Sequence, residues 1–204
     1  MSINSHSAVS FQCDYNEGAT RVGETIKSEA RRLREHWFEH FAPDNQSGID
    51  IGCGQDPLHK TFVKWDEIYG DGDATYMEGV EDNKFHTVYA SHILEHLDDP
   101  IVAIRNWFRI CELGGHLIIC VPHRDLYERK TTLPSLWSGN HKWFYHPAIP
   151  DLPDTRSLRL DVQDAIPEAR FVFMRTLSEN YVSFASQHPE GEYSIEIIVQ
   201  KRAI

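Results

Sequence analysis

No stretch of this 204-residue chain approaches the roughly 20 apolar residues that cross a bilayer, and its opening MSINSHSAVS has no basic segment followed by an apolar run. A soluble protein with no membrane partner is the expectation. Cysteine is scarce: Cys13, Cys53, Cys111 and Cys120 are the only four, and no two form a C-x-x-C pair. No disulfide framework is recognisable, and a reducing, cytoplasmic compartment is expected. Positive charge is also short, with 20 Lys and Arg scattered among 31 Asp and Glu for a formal charge of -11. Affinity for a phosphate backbone comes mostly from clustered cations, so the expected partner is a small-molecule substrate and not nucleic acid. No internal repeat or low-complexity tract is visible, and the length suits one domain over residues 1–204.

What is present has the rhythm of an α/β protein. Residues 1–21 are polar and aperiodic, a loose arm, and Val22 to Phe41 carry helical spacing with Ile26, Leu33, Trp37 and Phe41 available for one face. SGIDIGCGQDP is a buried strand running into a tight turn, with a following helix expected. WDEIYGDGDA predicts a second short strand ending in acids, and FHTVYASH a further strand. LDDPIVAIRNWFRICELGG is a helix capped by Asp98 or Asp99, with Pro100 in its first turn, Ile101, Ile104, Phe108 and Cys111 on one face, and Gly114 and Gly115 to stop it. HLIICVP is a continuous buried strand, so strand, helix and strand follow one another with short links, as parallel crossovers around a covered sheet require. RFVFMRTL and EYSIEIIVQKR close the chain as two strands with no room for a crossover helix, and antiparallel pairing is expected. Residues 124–168 break the pattern with prolines and with Trp137, Trp143, Phe144 and Tyr145, an insertion that either caps a substrate or is fastened to the body by its aromatic rings.

The chemistry concentrates in IDIGCGQDP. A strand that ends in Gly52-Cys53-Gly54 lets a ligand approach the backbone. Pro57 stands where a dinucleotide fingerprint has its third glycine, and Asp50 lies inside the strand itself. An extra carboxylate there suits a cationic ligand such as S-adenosylmethionine and repels an anionic pyrophosphate. Asp71, at the end of the expected second strand, is placed to accept ribose hydroxyls, and Asp73 and Ala74 to meet an adenine ring; a solvated DGD turn is the alternative.

In order and approximate spacing, IDIGCGQDP, GDATYMEGVEDNKF, VYASHILEHL and CELGGHLIICVPH resemble the class I S-adenosylmethionine-dependent methyltransferases, in particular those with an LEHL segment after the fourth strand. The resemblance covers residues 46–123. It implies a doubly wound, mostly parallel, Rossmann-like seven-stranded sheet with an antiparallel last strand, a variable substrate cap, and S-adenosylmethionine as cofactor. By position it implies Asp50, Gly52, Cys53 and Gly54 as the glycine-loop contacts, Asp71 for the ribose, Asp73 and Ala74 for the adenine, and Ser91 and His92 beneath the methionine end. The acceptor implied is a small molecule, with a hydroxyl of a sugar or natural product as the analogy. The segment between Gly54 and Asp73 is too short for the helix that the family usually places between strands two and three, and His86 stands where many members have an aspartate after the phenylalanine.

SHILEH also contains H-x-x-E-H, the metal pattern of inverted zinc peptidases. Those enzymes need both histidines on one unbroken helix, whereas His92 here follows a strand, so the expectation is no metal and no hydrolase. Any of His92, His96, His123 and His141 could serve as a base for a hydroxyl acceptor, with His123 and His141 favoured and His92 next. A protein that keeps a donor pocket without catalysing transfer is the remaining alternative.

Overall fold

A computed structural model describes residues 23–148 and 152–202, so the arm expected at 1–21 lies outside the described residues. Three short helices lead in: α1 Glu24–Lys27, α2 Glu29–Arg34 and α3 Trp37–Phe41. They correct the single helix expected over 22–41. His36 adopts a left-handed backbone conformation that breaks the run, Ile26 and Leu33 are 52% and 61% exposed, and Trp37 is the buried anchor.

The strands follow as β1 Gly48–Ile51, β2 Val63–Trp65, β3 Phe85–Ser91, β4 Cys111–Pro122, β5 Phe144–His146, β6 Thr155–Ser157, β7 Arg170–Leu177 and β8 Ser194–Gln200, with helices α4 Pro100–Ile110 and α5 Leu158–Ala165. Six of them form one sheet in the order β2-β1-β3-β4-β8-β7. β1 to β4 are parallel, and β8 runs antiparallel between β4 and β7. The doubly wound, mostly parallel expectation stands, as does the antiparallel last strand, but among the described residues this sheet has six strands and not seven. Between β2 and β3 the chain makes one turn of 3-10 helix at Glu67–Tyr69 and then irregular turns, leaving no residues for a further strand and helix. The helix expected after the glycine turn is absent as well: residues 52–62 form turns only, because Pro57 has no N–H to donate and the Leu58 N–H is given to Asp50 (2.6 Å).

Both faces of the sheet are covered. One core joins Ile49, Ile51, Val88, Leu117 and Ile197 to Ile104 and Trp107 of α4 and Val162 of α5; the other sets Tyr89, Ile118 and Ile198 against Trp37. Helix α4 begins where expected: Pro100 opens it and the Asp99 carboxylate accepts the Val102 N–H (3.0 Å). It ends at Ile110, and Cys111, expected on its face, is the first residue of β4. Of the expected insertion, residues 124–148 and 152–157 leave the sheet and hold the parallel pair β5 and β6, whereas α5 belongs to the body, its Leu158, Val162 and Ala165 buried in the main core.

The β3–β4 register places Gly115 directly against the His86 carbonyl, and a Cβ there would also lie 3.1 Å from the Glu112 carbonyl oxygen. Both neighbours are backbone and cannot swing aside. Gly115→Ala is therefore expected to cost about 1–3 kcal/mol, read as a fall in the urea midpoint at constant m-value. An unchanged midpoint contradicts this register.

Candidate functional site

Parallel pairing brings the carboxyl ends of β1, β2 and β3 side by side, with Ile51 in register with both Trp65 and Ala90. Ligands of open α/β sheets bind beyond this edge. Gly52 leaves β1 with φ +71° and gives its N–H to the Trp65 carbonyl (2.7 Å). A Cβ on it would meet Ile93 at 2.7 Å, so this glycine is required by packing. Gly54 differs: its φ is +52°, and a Cβ there would find no heavy atom within 4 Å. The backbone at Gly54 thus faces open space into which a ligand fits without displacing protein atoms. Cys53 between them is buried, and burial pushes its thiol up to about 11, which makes it inert.

Asp50 is 1% exposed inside β1, and its carboxylate accepts the Leu58 N–H. Burial raises its pKa from 3.8 to about 7, only partly opposed by that hydrogen bond and by Arg32. Its direct contact is therefore with the turn it holds.

The second acid needs a change of position. β2 ends at Trp65, upstream of the expected strand, so Asp66 and not Asp71 occupies the strand end. Asp66 accepts the N–H of Gly54 (2.8 Å) and of Ile68 (3.1 Å), while Asp71 accepts the N–H of Asp66 (3.1 Å) from behind. Asp73 closes its own turn by accepting the Thr75 N–H (2.7 Å). The Ala74 carbonyl is fixed by Trp107 Nε1 (2.8 Å), that of Thr75 by Asn106 Nδ2 (3.0 Å), and those of Val80 and Met77 by Arg109 (2.7 and 3.2 Å). These three residues of α4 clamp the loop, and sequence reasoning missed them. The signal was polar Asn106 and Arg109 at a three-residue spacing on a helix whose other residues, Arg105 aside, are apolar.

Ser91 and His92 stand at the end of β3, where the Ser91 hydroxyl meets His92 Nδ1 (2.9 Å) and the Ser194 hydroxyl meets Nε2 (3.0 Å). His92 has φ +55° and is followed by a 3-10 turn at Leu94–His96, so no continuous helix carries the H-x-x-E-H letters and the peptidase geometry is absent. Burial lowers His92 to about 4 and His96 to about 3, keeping both rings neutral near pH 7. Around them gather Glu24 from α1 (3.9 Å from His92 Nε2), Glu95, Glu128 and His141, whose Nδ1 lies 2.7 Å from Glu128 Oε1. The insertion reaches this group because the Lys142 and Trp143 N–H groups donate to the Glu95 carbonyl (2.8 and 3.3 Å). His123 joins a different set: its Nδ1 accepts the Asp125 N–H (3.1 Å) and its ring meets His146, with centroids 5.3 Å apart. Of the favoured bases, the fold therefore unites His141 with His92 and not with His123. The rings of Trp137 and Trp143 donate to the Tyr127 and Leu97 carbonyls (2.9 and 3.0 Å), and Phe144 and Tyr145 are buried, so these four aromatics fasten the insertion.

Asp50 gives a pH-dependent prediction. The folded chain keeps its proton to about pH 7, whereas an unfolded aspartate releases it near 3.8. The folded state binds the extra proton between those values, so this group's contribution falls as pH rises through the window. Asp50→Asn removes that slope. Urea denaturation at pH 4 to 7 is expected to show the variant gaining on the wild type as pH rises, and a difference independent of pH contradicts the buried, protonated carboxyl.

The family described as methyltransferase domain matches residues 22–165. No curated protein matches the chain. Among solved structures, an S-adenosylmethionine-dependent methyltransferase from Thermotoga maritima is similar with a TM-score of 0.52 at 18% identity, over 87% of this chain and 99% of that one. One from Methanosarcina mazei gives 0.51 at 11% identity over 82% and 98%. A protein whose structure concerns conversion of a disulfide bond into a thioacetal group during echinomycin biosynthesis gives 0.55 at 15% over 84% and 82%. At these identities the likeness is one of fold, and the sequence match carries the assignment: the chain belongs to the methyltransferase-domain family and is an S-adenosylmethionine-dependent class I methyltransferase.

Proposed function

We propose that the chain moves a methyl group from S-adenosylmethionine to an oxygen of a small acceptor seated beneath the part of the insertion at residues 124–148. The observation that carries this reading is the open face of Gly54 beside Asp66, at the joined ends of β1, β2 and β3. Asp66 takes the ribose hydroxyls in place of Asp71, which positions it through its N–H. The clamped turn at Asp73 and Ala74 borders the adenine, and Ser91 and His92 lie under the methionine end. Gly52 and Asp50 hold the loop from behind.

When bound, the cofactor supplies an electrophilic methyl on a sulfonium centre. The protein's part is to hold the acceptor in line and to receive its proton, because positioning accounts for most of what such a displacement needs. His92, His96 and His141 with Glu24, Glu95 and Glu128 form the acceptor side of the crevice. His123 serves the fold there, capping the turn at Arg124–Glu128.

Calorimetry with S-adenosylhomocysteine tests the donor half. Loss of hydrogen bonds to a charged group costs about 1.5–3 kcal/mol, so Asp66→Ala is expected to weaken binding roughly ten- to a hundredfold, with Asp66→Asn beside it to keep an acceptor for the Gly54 N–H. Gly54→Ala is expected to stay folded and bind poorly, since its methyl fills the open space. A stronger effect from Asp71→Ala than from Asp66→Ala restores the original register, and full affinity in Gly54→Ala removes the ligand from this loop.

A further inference from the structure

Glu95 is 1% exposed, and neither of its carboxylate oxygens accepts a hydrogen bond from another described residue. A buried carboxylate left so is costly, and such groups normally have a partner. What faces it is a pair of imidazoles: His96 Nε2 at 3.8 Å and His141 Nε2 at 3.9 Å from Glu95 Oε1. One donor atom from each of the three side chains lies within 4.8 Å of the others.

We propose that Glu95, His96 and His141 hold a divalent transition-metal ion. Two neutral imidazoles and one carboxylate are a donor set that zinc and its first-row neighbours accept, and three protein ligands leave a position for a further oxygen. Both rings have their second nitrogen directed away from the centre onto an oxygen: His141 Nδ1 lies 2.7 Å from Glu128 Oε1, and His96 Nδ1 is 3.4 Å from the Asn140 carbonyl. That is the outer support which fixes tautomer and orientation in metal-binding histidines. Glu128 is itself held, accepting the Leu136 N–H (3.2 Å). Bonds of about 2.1 Å in a tetrahedron put donors roughly 3.4 Å apart, so the observed spacings need a contraction of only a few tenths of an ångström on each side of Glu95. The sequence reading expected no metal because it paired His92 with His96; the fold supplies His141 instead, across the insertion, and leaves His92 on Ser91 and Ser194.

The binding site stands on these side chains alone, and a role for the ion in orienting a hydroxyl acceptor rests on the transferase reading. The test is made on full-length protein freed of metal with a chelator and then titrated with zinc or cobalt(II). One ion per chain is expected, with cobalt giving the visible absorption of a four- or five-coordinate site. His96→Ala and Glu95→Gln are expected to lower affinity at least a hundredfold, and Glu128→Gln ten- to a hundredfold, while His146→Ala keeps one ion per chain. His96 is partly exposed, so His96→Ala carries the test if the buried Glu95 variant fails to fold. Retention of a full ion by folded His96→Ala overturns the site, as does wild type that takes up no zinc or cobalt. S-adenosylhomocysteine binding is measured on the same samples: wild type that binds it and takes up neither metal overturns the site and leaves the transferase reading standing.

Discussion

The hydrogen bond from the Leu58 N–H to the buried carboxyl of Asp50 sets the shape of the donor edge. Between β1 and β2 this chain has no helix to organise its backbone, only the turns of residues 52–62. A turn of that kind must satisfy its amides locally, and it does so by sending one inward to Asp50, one across to the Trp65 carbonyl and one to Asp66. The result is a glycine loop tied to both neighbouring strands, with the backbone at Gly54 left facing outward. A carboxyl buried at this point costs desolvation, which its retained proton relieves.

Two further elements depend on that edge. Helix α4 is both a wall of the core and a clamp, since Trp107, Asn106 and Arg109 hold four carbonyls of the loop from Ala74 to Val80. On the other side α1 and α2 dock beside the start of β8: the Lys27 ammonium donates to the Tyr193 hydroxyl (2.6 Å), and Arg31 forms a buried ion pair with Glu192 (2.8 Å). Glu24 also meets the Tyr193 hydroxyl and stands beside His92, so the start of the described chain and β8 share one polar network at the acceptor side. Function and fold are coupled there, because the same contacts that dock the leading helices line the crevice.

The central elements were legible because each is dictated by nearby residues. The apolar run before Gly52, the Asp99 and Pro100 start of α4 and the long buried strand of HLIICVP all settle within a few positions of themselves. β2 was misread because VKW is an exposed edge strand with one partner, so no apolar alternation announced it. The leading helix was misread because helical spacing was present while His36 broke it and the sheet recruited Trp37 alone. Cys53 and Gly52 were assigned correctly to the loop, but sequence could not separate a glycine required by packing, Gly52, from one that faces open space, Gly54. Glu24 and Glu128 escaped notice because a single acid in a polar stretch reads as solvated, and Glu95 was read only as a letter of H-x-x-E-H; the arrival of His141 beside His96, ring centroids 4.7 Å apart, reveals that these side chains converge.

A crystal structure with S-adenosylhomocysteine bound tests the account most directly. Its central claim predicts the ribose against Asp66, the ligand passing over Gly54, and the sulfur pointing past Ser91 towards the histidine and glutamate group. Ligand density at the amino ends of the strands, or on the far side of α5, would contradict it.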